Sequence, residues 1–339
     1  MVMGFRVRSL NNILQYIEMG ALTVSIVCCT SQPANNSVPS NTSPPAQVTP
    51  IHLPDNRPPP RTRTVTHFRE MIWKYPDTGL GPTVVHLTIP ETASENHRVP
   101  VLILLHGRGE ALKSPEQGAL GWPYDYGMLH AINRLHQPPL TREDFGDMIT
   151  DPRLAAINLR LKKNPFLGII VASPYIPDEF GRTLQQDSGK YGAFLTQTLL
   201  PRIYSELPAI GTADTTAIDG VSLGGRAAIF IGLRFPRSFG AVGGIQAALG
   251  NRQIATVAGR LETARQSNPN LLFHLMSSTE DVYLDVNRSL STALQARHLP
   301  HTEFIAEGNH SYEFNRGPGA YETLLHYDRI LWKNQMSRF

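Results

Sequence analysis

The segment Gly220-Val221-Ser222-Leu223-Gly224-Gly225 sets a serine in a G-x-S-x-G frame. The demand behind that frame is steric. A serine presented on a sharp strand-to-helix turn has no room for bulky neighbours, and glycines at 220 and 224 remove those side chains. Gly225 lets the following helix pack close. A helix opening directly after Ser222 also brings backbone N–H groups and a positive dipole end beside the hydroxyl. To act as a nucleophile, the hydroxyl needs a base for its proton, and the base needs a partner that fixes its tautomer. The competing reading is a plain structural turn. The position of the motif, between the apolar run Thr216–Val221 and the apolar helical pattern Leu223–Phe235, favours the nucleophile.

The elements that must position this serine are legible as alternating patterns. Val99–His106 contains the continuous apolar run Val101-Leu102-Ile103-Leu104-Leu105 and ends in His106-Gly107, which fits a strand buried on both faces. Leu167–Ser173, Thr216–Val221 and Leu271–Met276 look alike, and Ala241–Ala247 and Thr302–Ala306 are weaker versions. Thr64–Trp73 and Thr83–Pro90 read as an antiparallel pair at a sheet edge. Helical patterns occupy Phe194–Glu206, Leu223–Phe235 and Asn287–Arg297, with Pro201 expected to kink or break the first. The alternation predicts an α/β fold, a mostly parallel central sheet with helices on both faces. In such sheets ligands sit at the carboxyl ends of the strands.

That rule selects the remaining candidates. The run Leu271–Met276 leads into Ser277-Ser278-Thr279-Glu280-Asp281, and Thr302–Ala306 leads into Glu307-Gly308-Asn309-His310-Ser311. His310 is the candidate base and Asp281 the acid that orients it. Glu280 and Asp285 are rivals to Asp281, whereas His301 precedes its strand and falls on the opposite edge. The developing oxyanion needs two donors. The Leu223 N–H is the first, and the Arg108 N–H, in the loop His106-Gly107-Arg108-Gly109-Glu110, is the second; a glycine turn that only ends the strand is the alternative. From Glu110 to Phe166 the chain reads as a long connection, and such connections are usually functional or disordered. Its aromatics Trp122 and Tyr124 are the candidate substrate-binding residues, with Tyr126 close by; packing of the segment on itself is the competing reading and the one favoured for them.

Composition bounds the rest. The chain has 339 residues, 41% hydrophobic and 17% charged, which is ordinary for a globular protein and ample for a large core. A formal charge of +3 without dense basic runs argues against a nucleic-acid partner; Arg160-Leu161-Lys162-Lys163 reads as a solvated helix end. The two cysteines, Cys28 and Cys29, are adjacent, so the rest of the chain has no disulfide framework and no cysteine nucleophile. Twelve histidines occur without H-E-x-x-H or other tight ligand spacing, so neither a metal nor another cofactor is expected. Residues 1–29, with Arg6, Arg8 and the apolar run from Met19 to Cys29, read as an export signal, which implies a periplasmic, cell-surface or secreted protein. A start at Met19 is the alternative. Ser25-Ile26-Val27-Cys28 resembles a lipoprotein arrangement, with bulky Ile26 and Val27 as departures, so a lipid anchor at Cys28 or Cys29 is the one membrane attachment expected. Residues 30–63, rich in Pro, Ser, Asn and Thr, read as a disordered tether, and 64–339 as the catalytic domain.

Three stretches, His106-Gly107-Arg108-Gly109, the frame around Ser222, and Thr279-Glu280-Asp281 through Gly308-Asn309-His310, together resemble the α/β-hydrolase superfamily and, within it, the putative-esterase group. That group includes esterase D-like hydrolases, feruloyl and acetylxylan esterases, and mycolyltransferases. Asn287-Arg288 and the helical stretch Phe194–Ile203 also look like it, while Arg108 stands where many relatives have a smaller residue. The resemblance implies the order serine, acid, histidine, an acyl-enzyme on Ser222, and a small acyl or aryl-acyl ester, carbohydrate-linked or free, as substrate. The same residues serve an acyltransferase. A peptidase, or a non-catalytic binding module on the same scaffold, are the further alternatives.

Overall fold

Eight strands form one sheet in the order β1-β2-β4-β3-β5-β6-β7-β8. They are β1 (Phe68–Tyr75), β2 (Thr83–Pro90), β3 (Val101–Leu105), β4 (Ile170–Pro174), β5 (Thr216–Gly220), β6 (Ala241–Ile245), β7 (Leu272–Glu280) and β8 (Thr302–Asn309). β2 runs antiparallel to both β1 and β4, and every other pairing is parallel. The sheet is mostly parallel, as the alternation predicts, with β1 at the edge. The computed structural model describes residues 66–178, 180 and 184–336. The export signal, the tether and the expectation for Cys28 and Cys29 lie outside those residues.

Burial explains why the strands read as they do. β2 through β6 are buried along their whole length, which continuous apolar runs require. The helix Leu223–Arg234 is apolar nearly all round and buried at every position except Arg226 and Arg234. It lies against β5 and β6 and against the helix Leu184–Phe194. That helix continues through a wider turn at Leu195–Leu199 into Leu200–Glu206. Pro201 therefore falls at the start of a fresh helical segment, where its missing N–H is tolerated, and the helix is not broken.

Two expectations need correction. The stretch from Glu110 to Phe166 is no structureless connection: it holds the helices Met128–Leu135 and Asp151–Lys163 as well as shorter turns. The first has a strongly one-sided apolar face, Met128, Leu129, Ala131, Ile132 and Leu135, all buried. The second is capped by the Thr150 side chain and carries Pro152 in its first turn. The strands β7 and β8 also run three or four residues beyond their apolar runs, because the two pair with each other there: Ser277 and Ser278, though polar, are buried opposite Ile305 and Ala306. Among the described residues no helix is long and apolar enough to cross a membrane.

The last helix, Ala320–Met336, is latched to the sheet through polar tips. Tyr327 Oη donates to Asp219 Oδ2 at 2.6 Å, and Trp332 Nε1 donates to the Gly168 carbonyl at 3.0 Å. Asp219 is fully buried on β5, three residues before Ser222, and also accepts from the Gly220 N–H at 2.6 Å. Burial raises its carboxyl to about 7, against the pull of those two donors. A carboxyl that holds its proton more tightly folded than unfolded contributes stability at low pH and loses it as pH rises. Relative to Asp219→Asn, the parent should therefore lose stability as pH rises from about 4 through about 7, by on the order of 4 kcal/mol at the limit. The comparison isolates this group from buried imidazoles such as His106, whose lowered pKa acts in the opposite direction over the same range; a stability difference between the two proteins that does not change with pH would show that Asp219 does not titrate there.

Candidate active site

Ser222 occupies the turn between β5 and the helix Leu223–Arg234 with φ +57° and ψ −113°, a left-handed conformation that costs a non-glycine residue energy. Hydrogen bonds over-determine it. Its N–H donates to the Ile245 carbonyl at 2.9 Å, and its carbonyl accepts from Ala248 at 3.0 Å and Arg226 at 3.1 Å. The turn passes over the end of β3 at closest backbone approach. A Cβ on Gly224 would collide with the carbonyls of Leu105 and His106, and one on Gly220 would lie 2.6 Å from the Leu105 carbonyl oxygen. The glycines of the motif are thus required by contact with a neighbouring strand as well as by the turn itself.

The loop after β3 is pinned by His106. Its Nε2 accepts from the Ile176 N–H at 3.0 Å, so Nδ1 carries the proton and donates to the Gly107 carbonyl at 2.9 Å. Burial holds this imidazole neutral, with its pKa down to about 4. Arg108 then opens a short helix, and Leu223 opens the long one. As first helical residues, both have N–H groups ahead of the intrahelical ladder, which leaves them free for a ligand. The Arg108 side chain turns outward to Asp178, with Nε to Oδ1 at 2.7 Å.

Asp281 and His310 meet at the carboxyl ends of β7 and β8. His310 Nδ1 lies 2.8 Å from Asp281 Oδ1. The Asp281 carboxylate is fully buried and also accepts from Ser277 Oγ at 2.6 Å and the Tyr283 N–H at 3.0 Å. These donors match an ionised carboxylate. The rivals Glu280 and Asp285 are exposed, and His301 lies at the start of β8, bonded to Ser291 and Leu299. His310 and Ser222 line one cavity of about 160 Å³ together with Arg108, Tyr126 and Tyr312.

Trp122 and Tyr124 are not in that cavity. Trp122 is wholly buried, with Nε1 donating to the Leu105 carbonyl at 2.9 Å, so it buttresses β3 and has no face for a substrate. Tyr124 reaches the other way, to Glu70 on β1 at 2.6 Å. Packing of the segment, the competing reading, is what its aromatics do. Tyr126 is the one that reaches the site.

Three polar residues went unassigned at the level of sequence. Glu110, fully buried, accepts from both Tyr126 Oη and Tyr312 Oη, the latter at 2.6 Å. Tyr126 Oη in turn accepts from the Gly107 N–H at 3.1 Å, so this cluster braces the loop that carries Arg108. Burial pushes the Glu110 carboxyl up. Gln246, also fully buried and left-handed at φ +46°, donates from Nε2 to Ser278 Oγ at 2.7 Å and to the Asn309 carbonyl at 2.9 Å. It ties the end of β6 to the residue just before His310. A signal existed: Gln246 is the one strongly polar residue in the run Ala241–Ala247, at a strand's carboxyl end.

Residues 171–314 match the family model described as putative esterase, a span that contains Ser222, Asp281 and His310. The chain has the α/β-hydrolase fold, and its residues 171–314 match the putative-esterase model. Among solved structures it is similar to a ferulic acid esterase at 17% identity and a TM-score of 0.57, covering 79% of this chain and 100% of the other. An S-formylglutathione hydrolase from Staphylococcus aureus gives 13%, 0.55, 77% and 99% in the same order. The ferulic acid esterase of the anaerobic fungus Anaeromyces mucronatus gives 16%, 0.51, 80% and 92%. No curated protein sequence matches this chain. At these identities the structural likeness speaks to fold, and the family match, over residues 171–314, is to a putative esterase. Gly224→Ala should destabilise the domain by at least about 2 kcal/mol, since the added methyl meets backbone that cannot move aside; a melting temperature equal to that of the parent would show that the turn can relax.

Proposed function

We propose that this hydrolase cleaves carboxylic esters through an acyl-enzyme on Ser222. The observation that carries the reading is the buried Asp281 carboxylate holding His310 by Nδ1 in the same cleft as a serine on a strained turn. His310 then presents Nε2 as the base: it takes the Ser222 proton during attack and returns it to the leaving alcohol. Asp281 fixes the tautomer and stabilises the imidazolium. The Leu223 and Arg108 N–H groups stabilise the oxyanion, and because both are backbone donors on ordered helices, no reorganisation is needed as charge develops. Water, activated by His310 in the reverse sense, releases the acid.

The cavity supports a compact acyl group. At about 160 Å³, with Tyr126 and Tyr312 in its wall, it suits a short acyl or small aryl-acyl chain and is too small for a long lipid. The ferulic acid esterases among the structural neighbours agree with an aryl-acyl substrate. The leaving alcohol would face the exposed rim at Val282 and Tyr283, which leaves space for a bulky group such as a sugar.

Hydrolysis of short-chain and aryl nitrophenyl esters tests this directly. Ser222→Ala should lower turnover by about 10⁶, to the assay background, and Asp281→Asn by about 10⁴ through loss of the correct tautomer. Equal rates in parent and Ser222→Ala would overturn the assignment. Acetyl and butyryl esters should outpace palmitoyl esters, and the reverse order would overturn the acyl-size reading.

A further inference from the structure

The opposite edge of the sheet carries a second cavity, of about 430 Å³, with a different chemistry. It opens where β6, β7 and β8 begin, at Ala241, Leu272 and Thr302, whereas Ser222, Asp281 and His310 follow the carboxyl ends of β5, β7 and β8. Its wall on the last helix is built from His326, Arg329, Ile330, Lys333 and Asn334, the spacing of a single helical face. A helix face turned toward a sheet is ordinarily apolar. Here three of its five residues are basic or imidazole.

No carboxylate lies among the residues lining this cavity, and Arg265 adds to its positive side. Acids lie in the adjoining cavities: Asp214 on one side, and on the other Glu303, which accepts from Ser291 Oγ at 3.1 Å, and Glu322, which pairs with Arg153. Arg265 is held by the carbonyls of Leu271 and Pro269, and Arg160 by that of Leu325, so both are fixed in place without being neutralised. His326 and His274 stack with centroids 3.9 Å apart and planes 16° apart, and His274 Nδ1 bonds Thr302 Oγ1 at 2.8 Å. Burial, and after it the Arg329 guanidinium, depresses His274 to about 4; burial, then His274, Arg329 and Arg160, depress His326. At neutral pH the pair is therefore uncharged and available for stacking and hydrogen bonding, while Arg329 and Lys333 supply the charge.

We propose that this cavity is a binding site for a small planar organic anion of the aromatic carboxylate class, its carboxylate held by Arg329 and Lys333 and its ring packed beside the His274–His326 stack. Charge selects the anion. Size selects an organic one, since 430 Å³ falls in the range of small-molecule sites and exceeds what an inorganic ion fills. Phe273, Pro300 and Ile330 supply the apolar wall that such a body needs. The site is separate from the Ser222 cleft and does not depend on the function proposed for it.

Benzoate is the probe, in the full-length Ser222→Ala protein so that no ester chemistry intervenes, with inorganic phosphate as the comparison. The readout is local: the ring-proton resonances of His274 and His326, followed with pH. Benzoate should shift both and move their titration to higher pH, because a nearby anion favours the imidazolium. Arg329→Ala/Lys333→Ala, at two exposed positions that leave the fold intact, should weaken benzoate by at least about tenfold, and Arg329→Lys should retain most of the affinity. Unmoved resonances at saturating benzoate, or equal affinity in the double variant, would overturn the site. Phosphate binding as tightly as benzoate would overturn its assignment to an organic anion.

Discussion

The structure turns on a place where two backbones nearly touch. At the end of β5 the chain reverses over the carboxyl end of β3, and the carbonyls of Leu105 and His106 sit where side chains at 220 and 224 would be. Everything at the site follows from that proximity. It brings the loop of Arg108 beside the serine turn, so that two helix starts can aim N–H groups at one point. It also depends on β3 and β5 being adjacent and parallel, with β6, β7 and β8 continuing in the same direction, so that all their carboxyl ends open on one edge of the sheet.

Holding this arrangement requires buried polar groups, and each is matched to a specific partner. His106 satisfies the Ile176 N–H and the Gly107 carbonyl, Glu110 gathers two phenols, Asp219 gathers a phenol and an amide, and Gln246 spans two strands. Such networks are costly when incomplete and restrictive when complete; here Gln246 Oε1 is buried without a partner. The hydrogen bonds they do make hold Ser222 and Gln246 in left-handed conformations that a looser surrounding would relax.

The fold was legible because burial on both faces leaves an unmistakable mark: five strands whose every residue is buried cannot avoid reading as apolar runs. Ser222, Asp281 and His310 were legible as candidates because each follows such a run or its extension, and the structure brings Asp281 and His310 into contact. What stayed hidden depends on contacts distant in sequence. Glu110 meets Tyr312 across 202 positions, and nothing local marks either as a partner. The segment from Glu110 to Phe166 misled for a related reason. Its short helices are stabilised by packing on the sheet, and the aromatics that suggested a ligand, Trp122 above all, are what bind it there.

The latch between Tyr327 and Asp219 joins the end of the chain to its middle. Residue 219 lies on the strand that presents Ser222, yet its phenolic donor lies 108 positions later, in the final helix. During synthesis the serine turn thus leaves the ribosome well before the group that completes the strand beneath it. His310 emerges later than Ser222 too, and the helix after it later still. The order of translation therefore keeps this edge of the sheet unfinished until almost all of the chain is available, so a nascent or prematurely terminated chain carries the serine without its complete support.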